Sequence, residues 1–166
     1  DILCYNDTTG EIQFNVTNAN GYTIEYSIDN GVTFVSSSTF SNLSAGDYDV
    51  IIRYTLAGSE CLSTVQTITI VQPDAALTAT AGISELAGCG PSGEGTIRIT
   101  NPQGGTPFPA PNFYEYSIDN TNWQTSNEFL VSPGTYTVYI RDANGCIFVM
   151  QDVILDQEPP APTIEI

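Results

Sequence analysis

Apolar and polar residues alternate along most of this chain. Ile12, Phe14 and Val16 fall on one face, as do Ile24, Tyr26 and Ile28, and Tyr48, Val50 and Ile52. The pattern returns at Ile97 and Ile99, at Tyr114, Tyr116 and Ile118, and at Tyr136, Val138 and Ile140. A period of two carried by β-branched and aromatic residues predicts strands with one buried face. No sustained helical period interrupts it. Further strands are expected at Thr64–Val71 and Phe148–Leu155, with an opening strand at Ala76–Thr80. Asp29-Asn30-Gly31 supplies the positive φ angles of a tight hairpin turn, and Asn144-Gly145 suits a turn before Cys146. Short strands at regular spacing, separated by turn signals, predict an all-β sandwich.

The pattern is duplicated. Tyr-Ser-Ile-Asp-Asn occurs at Tyr26–Asn30 and again at Tyr116–Asn120. Each copy is followed by an aromatic (Phe34, Trp123), a second one (Phe40, Phe129), and a Gly-x-Tyr-x-Val-x-Ile-Arg run ending at Arg53 or Arg141. Cys4 to Cys61 and Cys89 to Cys146 share one spacing of 57 residues. Matched Cys pairs in matched segments predict two tandem immunoglobulin-like modules, each closed by its own disulfide, Cys4–Cys61 and Cys89–Cys146. Each such bridge is worth roughly 4 kcal/mol on the chain-entropy estimate. Gln72-Pro73-Asp74 and Gln157-Glu158-Pro159 break the pattern at equivalent points, since proline cannot donate to a ladder. The expected modules are therefore 1–72 and 73–158, with 159–166 beginning a further repeat or linker. Thr163–Ile166 reads as another opening strand, whereas the first copy has none before Cys4; the expectation is a piece excised from a longer array, the first module completed by a neighbour or left short.

Charge narrows the function. Nineteen acids face three arginines, with neither lysine nor histidine, for a net charge of −16. Such a surface repels nucleic acid and anionic membrane faces, and collects divalent cations or keeps copies apart. No stretch of 18 apolar residues offers a membrane span. Widely spaced cysteines without histidine do not suit zinc, and disulfides point to an extracellular setting. Without histidine or lysine, a serine or cysteine nucleophile lacks its usual base, so no catalytic residue is expected. The three arginines include Arg53 and Arg141, expected to pair with acids and tie a turn in place.

The residues just quoted resemble the SprB-type repeats of large surface adhesins in gliding and related Bacteroidota. The second copy matches through Gly104-Gly105-Thr106-Pro107, Tyr114–Ser117, Gly134–Val138 and Asp142-Ala143-Asn144-Gly145-Cys146. The first matches through Tyr26-Ser27, Phe40, Leu43, Gly46, Tyr48 and Val50, but lacks the Gly-Gly-Thr-Pro element and carries Tyr54–Glu60 where the Asp-Ala-Asn-Gly turn belongs. The resemblance implies a repetitive, non-enzymatic filament at the cell surface, exported by the type 9 system and serving adhesion or gliding motility. Its implied partners are neighbouring repeats and a polysaccharide or abiotic surface.

Two kinds of ligand site compete with ordinary structural roles. Calcium needs six to eight converging oxygens, which loops deliver better than one strand. Asp29, Asn30, Asp119, Asn120, Asp142 and Asn144 in turns, and Asp74, Asp156 and Glu158 near the breaks, are the candidates; turn residues of these types also bond their own backbone. The second candidate is the loop Gly104, Gly105, Thr106, Pro107 and Phe108 and the residues up to Asn112, which is either a glycan-contacting rim or a stiff spacer. Trp123 and Phe34 are expected to fill equivalent cores.

Overall fold

A computed structural model describes residues 1–88 and 93–157. They form strands and turns without a helix, and the chain divides into two compact units, Asp1–Pro73 and Asp74–Ile166.

The first unit holds six strands: β1 (Gly10–Gln13), β2 (Thr23–Ser27), β3 (Thr39–Leu43), β4 (Gly46–Leu56), β5 (Ser59–Leu62) and β6 (Gln66–Ile70). All pairings are antiparallel: β1 with β3, and the long β4 with β2 on one edge and with β5 and then β6 on the other. Ile2, Ile12 and Ile70 form a small core, flanked by Phe14, Ile28, Leu43, Ala45 and Tyr48. Phe14 stacks within 4.8 Å of Tyr26 and 5.8 Å of Phe40, centroid to centroid. Those are the alternating positions of the sequence pattern, buried because one pleat face turns inward.

The second unit holds β7 (Thr78–Glu85), β8 (Gly95–Gln103), β9 (Glu115–Ser117), β10 (Glu128–Val131), β11 (Gly134–Tyr136), β12 (Tyr139–Arg141), β13 (Ile147–Val149) and β14 (Val153–Leu155). Here β8 lies between β7 and β10, β12 lies between β9 and β13, and β11 pairs with β14. Leu77 and Ala79, Ile97 and Ile99, Tyr114 and Tyr116, Val138 and Ile140, and Met150 and Val153 bury one common core. Strands from both groups of sheets contribute to it. The larger cluster reflects the extra strand: β7 covers an edge that stays uncovered beside β1 among the described residues.

Several expectations change. The opening strand is longer than Ala76–Thr80 and runs to Glu85. The Gly134–Arg141 run is one strand in the first copy but breaks into β11 and β12 in the second. Phe148–Leu155 likewise breaks around Met150, whose amide donates to the Val138 carbonyl (2.8 Å) as the chain crosses between ladders. The Asp29-Asn30-Gly31 turn has its positive φ at Asn30 (59°) and Gly31 (80°), yet sits inside a wider loop closed by reciprocal hydrogen bonds between Tyr26 and Val35. Thr163–Ile166 and Glu158 lie outside the described residues.

The disulfide expectation fails in the first unit. Cys4 is disulfide-bonded but Cys61 is a free, exposed thiol, so the Cys4–Cys61 bridge does not form. Cys61 sits on β5, opposite Tyr54 across the β4 hairpin. Its equal spacing reflects duplication of the sequence, whereas a bridge needs two Cβ atoms about 3.5–4.5 Å apart. Cys146 is also disulfide-bonded. The expected Cys89–Cys146 pairing involves Cys89, which lies outside the described residues.

Candidate functional site

Two constructions recur in both units. The first is the turn after β2 and β9. The Asp29 carboxylate accepts from Thr33 Oγ1 (2.6 Å), Ser27 Oγ (2.7 Å) and the Thr33 amide (2.9 Å). Asp119 accepts from Asn122 Nδ2 (2.6 Å), the amides of Asn122 (2.7 Å) and Thr121 (2.9 Å), and Ser117 Oγ (2.9 Å). Asn30 and Asn120 follow in the left-handed region that asparagine tolerates. Donors crowding the charged form hold both carboxyls low. Asp29, led by its hydrogen bonds to Thr33, drops from 3.8 to about 2; Asp119, led by those to Asn122, falls further. These acids are engaged as turn braces.

The second construction lies on the outer face of the β2–β4 and β9–β12 ladders. Arg53 reaches Glu25 (Nη2–Oε2 2.7 Å), with its guanidinium 4.3 Å from the Phe34 ring centroid. Arg141 reaches Glu115 (2.6 Å) and stands 4.4 Å from the Trp123 centroid. Cation–π attraction and a charge-assisted hydrogen bond thus clamp the end of each turn to the strand beside it. The arginine–acid expectation holds. The core expectation for Trp123 does not: its indole is half-buried against a guanidinium, outside the apolar cluster.

A third construction belongs to the second unit alone. Asp142 is 1% exposed, and its carboxylate accepts from the Thr106 amide at Oδ2 (2.7 Å) and from the Cys146 (2.9 Å) and Asn144 (3.0 Å) amides at Oδ1. Asn144 Nδ2 donates to Thr106 Oγ1 (2.9 Å) and the Ala143 amide to the Thr106 carbonyl (2.9 Å). Tyr114 Oη donates to the Gly104 carbonyl (2.9 Å). A Cβ on Gly104 would lie 1.9 Å from the Ala76 carbonyl oxygen, and one on Gly105 2.5 Å from Asp142 Oδ2. Glycine is required twice because two backbones and a carboxylate pack that closely. The Gly-Gly-Thr-Pro and Asp-Ala-Asn-Gly elements are therefore two halves of one lock.

Beyond the lock, Pro107 and Phe108 lead into a rim whose cleft holds about 380 Å³. Pro102, Pro107, Pro111, Phe113, Tyr116 and Asn127 are among its lining residues, and Phe113 is 52% exposed. Proline and aromatic faces beside amide side chains suit stacking and hydrogen bonding to a polar ring or an extended peptide. Sequence reasoning reached the rim but stopped at Asn112, one residue before its exposed aromatic.

The calcium candidates are not brought together. Asp74 and Asp156 are exposed, and among the described residues no group of three or more His, Cys, Asp or Glu side chains converges. The carboxylate oxygens of Asp29 and Asp119 receive donors from their own turns, and those of Asp142 from its own turn and from Thr106. Compared with known proteins, the chain matches no family model and no curated protein.

Proposed function

We propose that the chain is a pair of tandem immunoglobulin-like β-sandwich repeats from a long exported surface filament, serving adhesion or gliding motility by spacing and presenting contacts. The duplicated clamp carries this reading: Glu25–Arg53–Phe34 and Glu115–Arg141–Trp123 place the same three chemical groups at the same point of two modules. In both, rare positive charge is spent on bracing a turn, as suits a module built to stay folded. The resemblance to SprB-type repeats, the acidic surface and the absence of histidine and lysine from the sequence all favour structure over catalysis. Cell-surface location and type 9 export follow from that resemblance. The test is adhesion of cells bearing the parent protein with this segment deleted or replaced by an unrelated β-repeat pair of equal length. Retained adhesion with the replacement and lost adhesion with the deletion support a spacer; loss in both assigns a specific contact to the segment.

The cleft beside Phe113 favours a second reading, a glycan-binding module. A saturable glycan-array signal that vanishes in Phe113→Ala, with an unchanged fold, would select it.

A further inference from the structure

The rim cleft of the second unit is uncharged, in a chain that carries a net charge of −16. Its nine lining residues are three prolines, three aromatics, two asparagines and a threonine, with neither an acid nor a base among them. The acids that adjoin lining residues in the sequence are both ion-paired, Glu115 with Arg141 (2.6 Å) and Glu128 with Arg98. Two of the chain's three arginines are thus committed to acids bordering these residues. The walls are also held in place. The lock pins Gly104, Gly105 and Thr106 at the base of the loop, and the Phe108 amide donates to the Phe113 carbonyl (2.8 Å), closing residues 108–113. Asn127 is fixed from the other side, its Nδ2 donating to the Ile99 carbonyl (2.8 Å). A fixed loop carries the exposed Phe113, so a ligand that stacks there costs the protein little ordering entropy.

The chemistry of the lining selects a ligand class. Asn112, Thr125 and Asn127 are exposed and offer amide and hydroxyl groups, donors and acceptors side by side. Sugar hydroxyls both donate and accept, and a sugar ring presents a C–H face to an aromatic one. An extended peptide would need free main-chain groups along an edge, and a third of the lining is proline, which has no amide to give. An anionic chain would meet the field of a strongly acidic molecule with no base in the site to receive it, and a cation would meet no acid. We infer that the cleft binds an uncharged saccharide: one ring of a neutral glycan stacks on Phe113, its hydroxyls bond to Asn112, Thr125 and Asn127, and uronic, sialylated or sulfated chains are turned away. This names the ligand class for the glycan reading above and rests on that reading. The first unit lacks the Gly-Gly-Thr-Pro loop, so one such site per chain is expected.

The experiment probes an array of neutral saccharides and their acidic counterparts with the full chain. Calorimetry then compares the best neutral oligosaccharide with the uronate oligosaccharide of the same length and linkage. The expected result is saturable binding of one neutral oligosaccharide per chain, with the uronate weaker by about tenfold or more and the gap narrowing as salt rises. Phe113→Ala should weaken the neutral ligand about tenfold and Phe113→Trp should keep it, both with the parent's unfolding midpoint. Thr125→Lys should narrow the preference by drawing the uronate in. Binding that depends on Phe113 but ignores charge, or favours acidic saccharides, overturns this inference and leaves the glycan reading standing. Silence across the array, or binding untouched by Phe113→Ala, overturns both, and a proline-rich peptide bound through Phe113 would then reassign the cleft.

Discussion

The Thr106 amide donates to Asp142 Oδ2 across 36 residues of sequence, at 2.7 Å, in a site that is closed to solvent. That bond joins two loops which the sequence presents as separate motifs. It explains why Gly-Gly-Thr-Pro and Asp-Ala-Asn-Gly are present together in the second copy and absent together from the first. In the first copy Tyr54 stands where Asp142 would, and pairs edge-on with Tyr22 at 5.8 Å.

Asp142→Ala should therefore cost about 3 kcal/mol or more, because three backbone amides lose their acceptor. Asp142→Asn should restore part of this, since one of its two polar atoms is a donor facing the Thr106 amide. Gly105→Ala should rival the alanine variant, combining a clash with the carboxylate and a positive φ of 60°. Urea unfolding followed by Trp123 fluorescence reports on this unit, and a loss under 1 kcal/mol for Asp142→Ala would refute the lock.

The arginine clamps are partly exposed, so they should matter modestly and alike. Removing Arg141 or Arg53 as alanine should cost about 1–2 kcal/mol, the sum of a screened ion pair and a cation–π contact. A double-mutant cycle between Arg141 and Trp123 should return a coupling of about 0.5–1 kcal/mol. Zero coupling there would mean that the stacking is incidental.

Acid should loosen both turns, with the sign set by depressed carboxyl values. Asp29 has a folded pKa of about 2 against an ordinary 3.8, so its contribution is complete above about pH 4 and is lost as pH falls through 2. Asp119, held lower, should release its turn at still lower pH. Carboxyl resonances followed by NMR titration would show this order. Asp29→Asn should flatten the acid limb of the stability profile in this window; an unchanged limb would show that other carboxylates govern it.

Cys61 should react as an ordinary exposed thiol. Maleimide labelling of the native, unreduced chain should modify Cys61, mapped by peptide mass. Cys61→Ser should change stability by less than about 0.5 kcal/mol, as a surface substitution does, against the roughly 4 kcal/mol that a bridge over that loop would contribute. A native chain in which Cys61 resists labelling until reductant is added would reinstate the bridge.

Much of this was legible beforehand because it is local. Alternation at Ile12, Tyr26, Val50, Ile97, Tyr116 and Ile140 marked inward faces, since side-chain direction along a strand has a period of two. Asn30-Gly31 and Asn144-Gly145 marked turns, since few residues accept positive φ. Arg53 and Arg141 marked pairs, since a cation among nineteen acids finds a partner. Trp123 was misplaced for a reason of the same kind: equivalence to Phe34 established a shared environment but not which side of the ladder it occupied.

By itself the sequence determined the all-β class, the twofold repetition and the turn chemistry, because each depends on neighbours within a few residues. Only the tertiary structure decided that Cys61 stays free, that Thr106 meets Asp142, that the opening strand of the second unit runs on to Glu85, and that Phe113 is the exposed aromatic of the rim. These depend on which side chains arrive within a few ångströms of one another after the chain has closed loops of tens of residues. Spacing along the chain constrains such meetings only loosely, because loop closure costs little more for a wrong partner than for the right one.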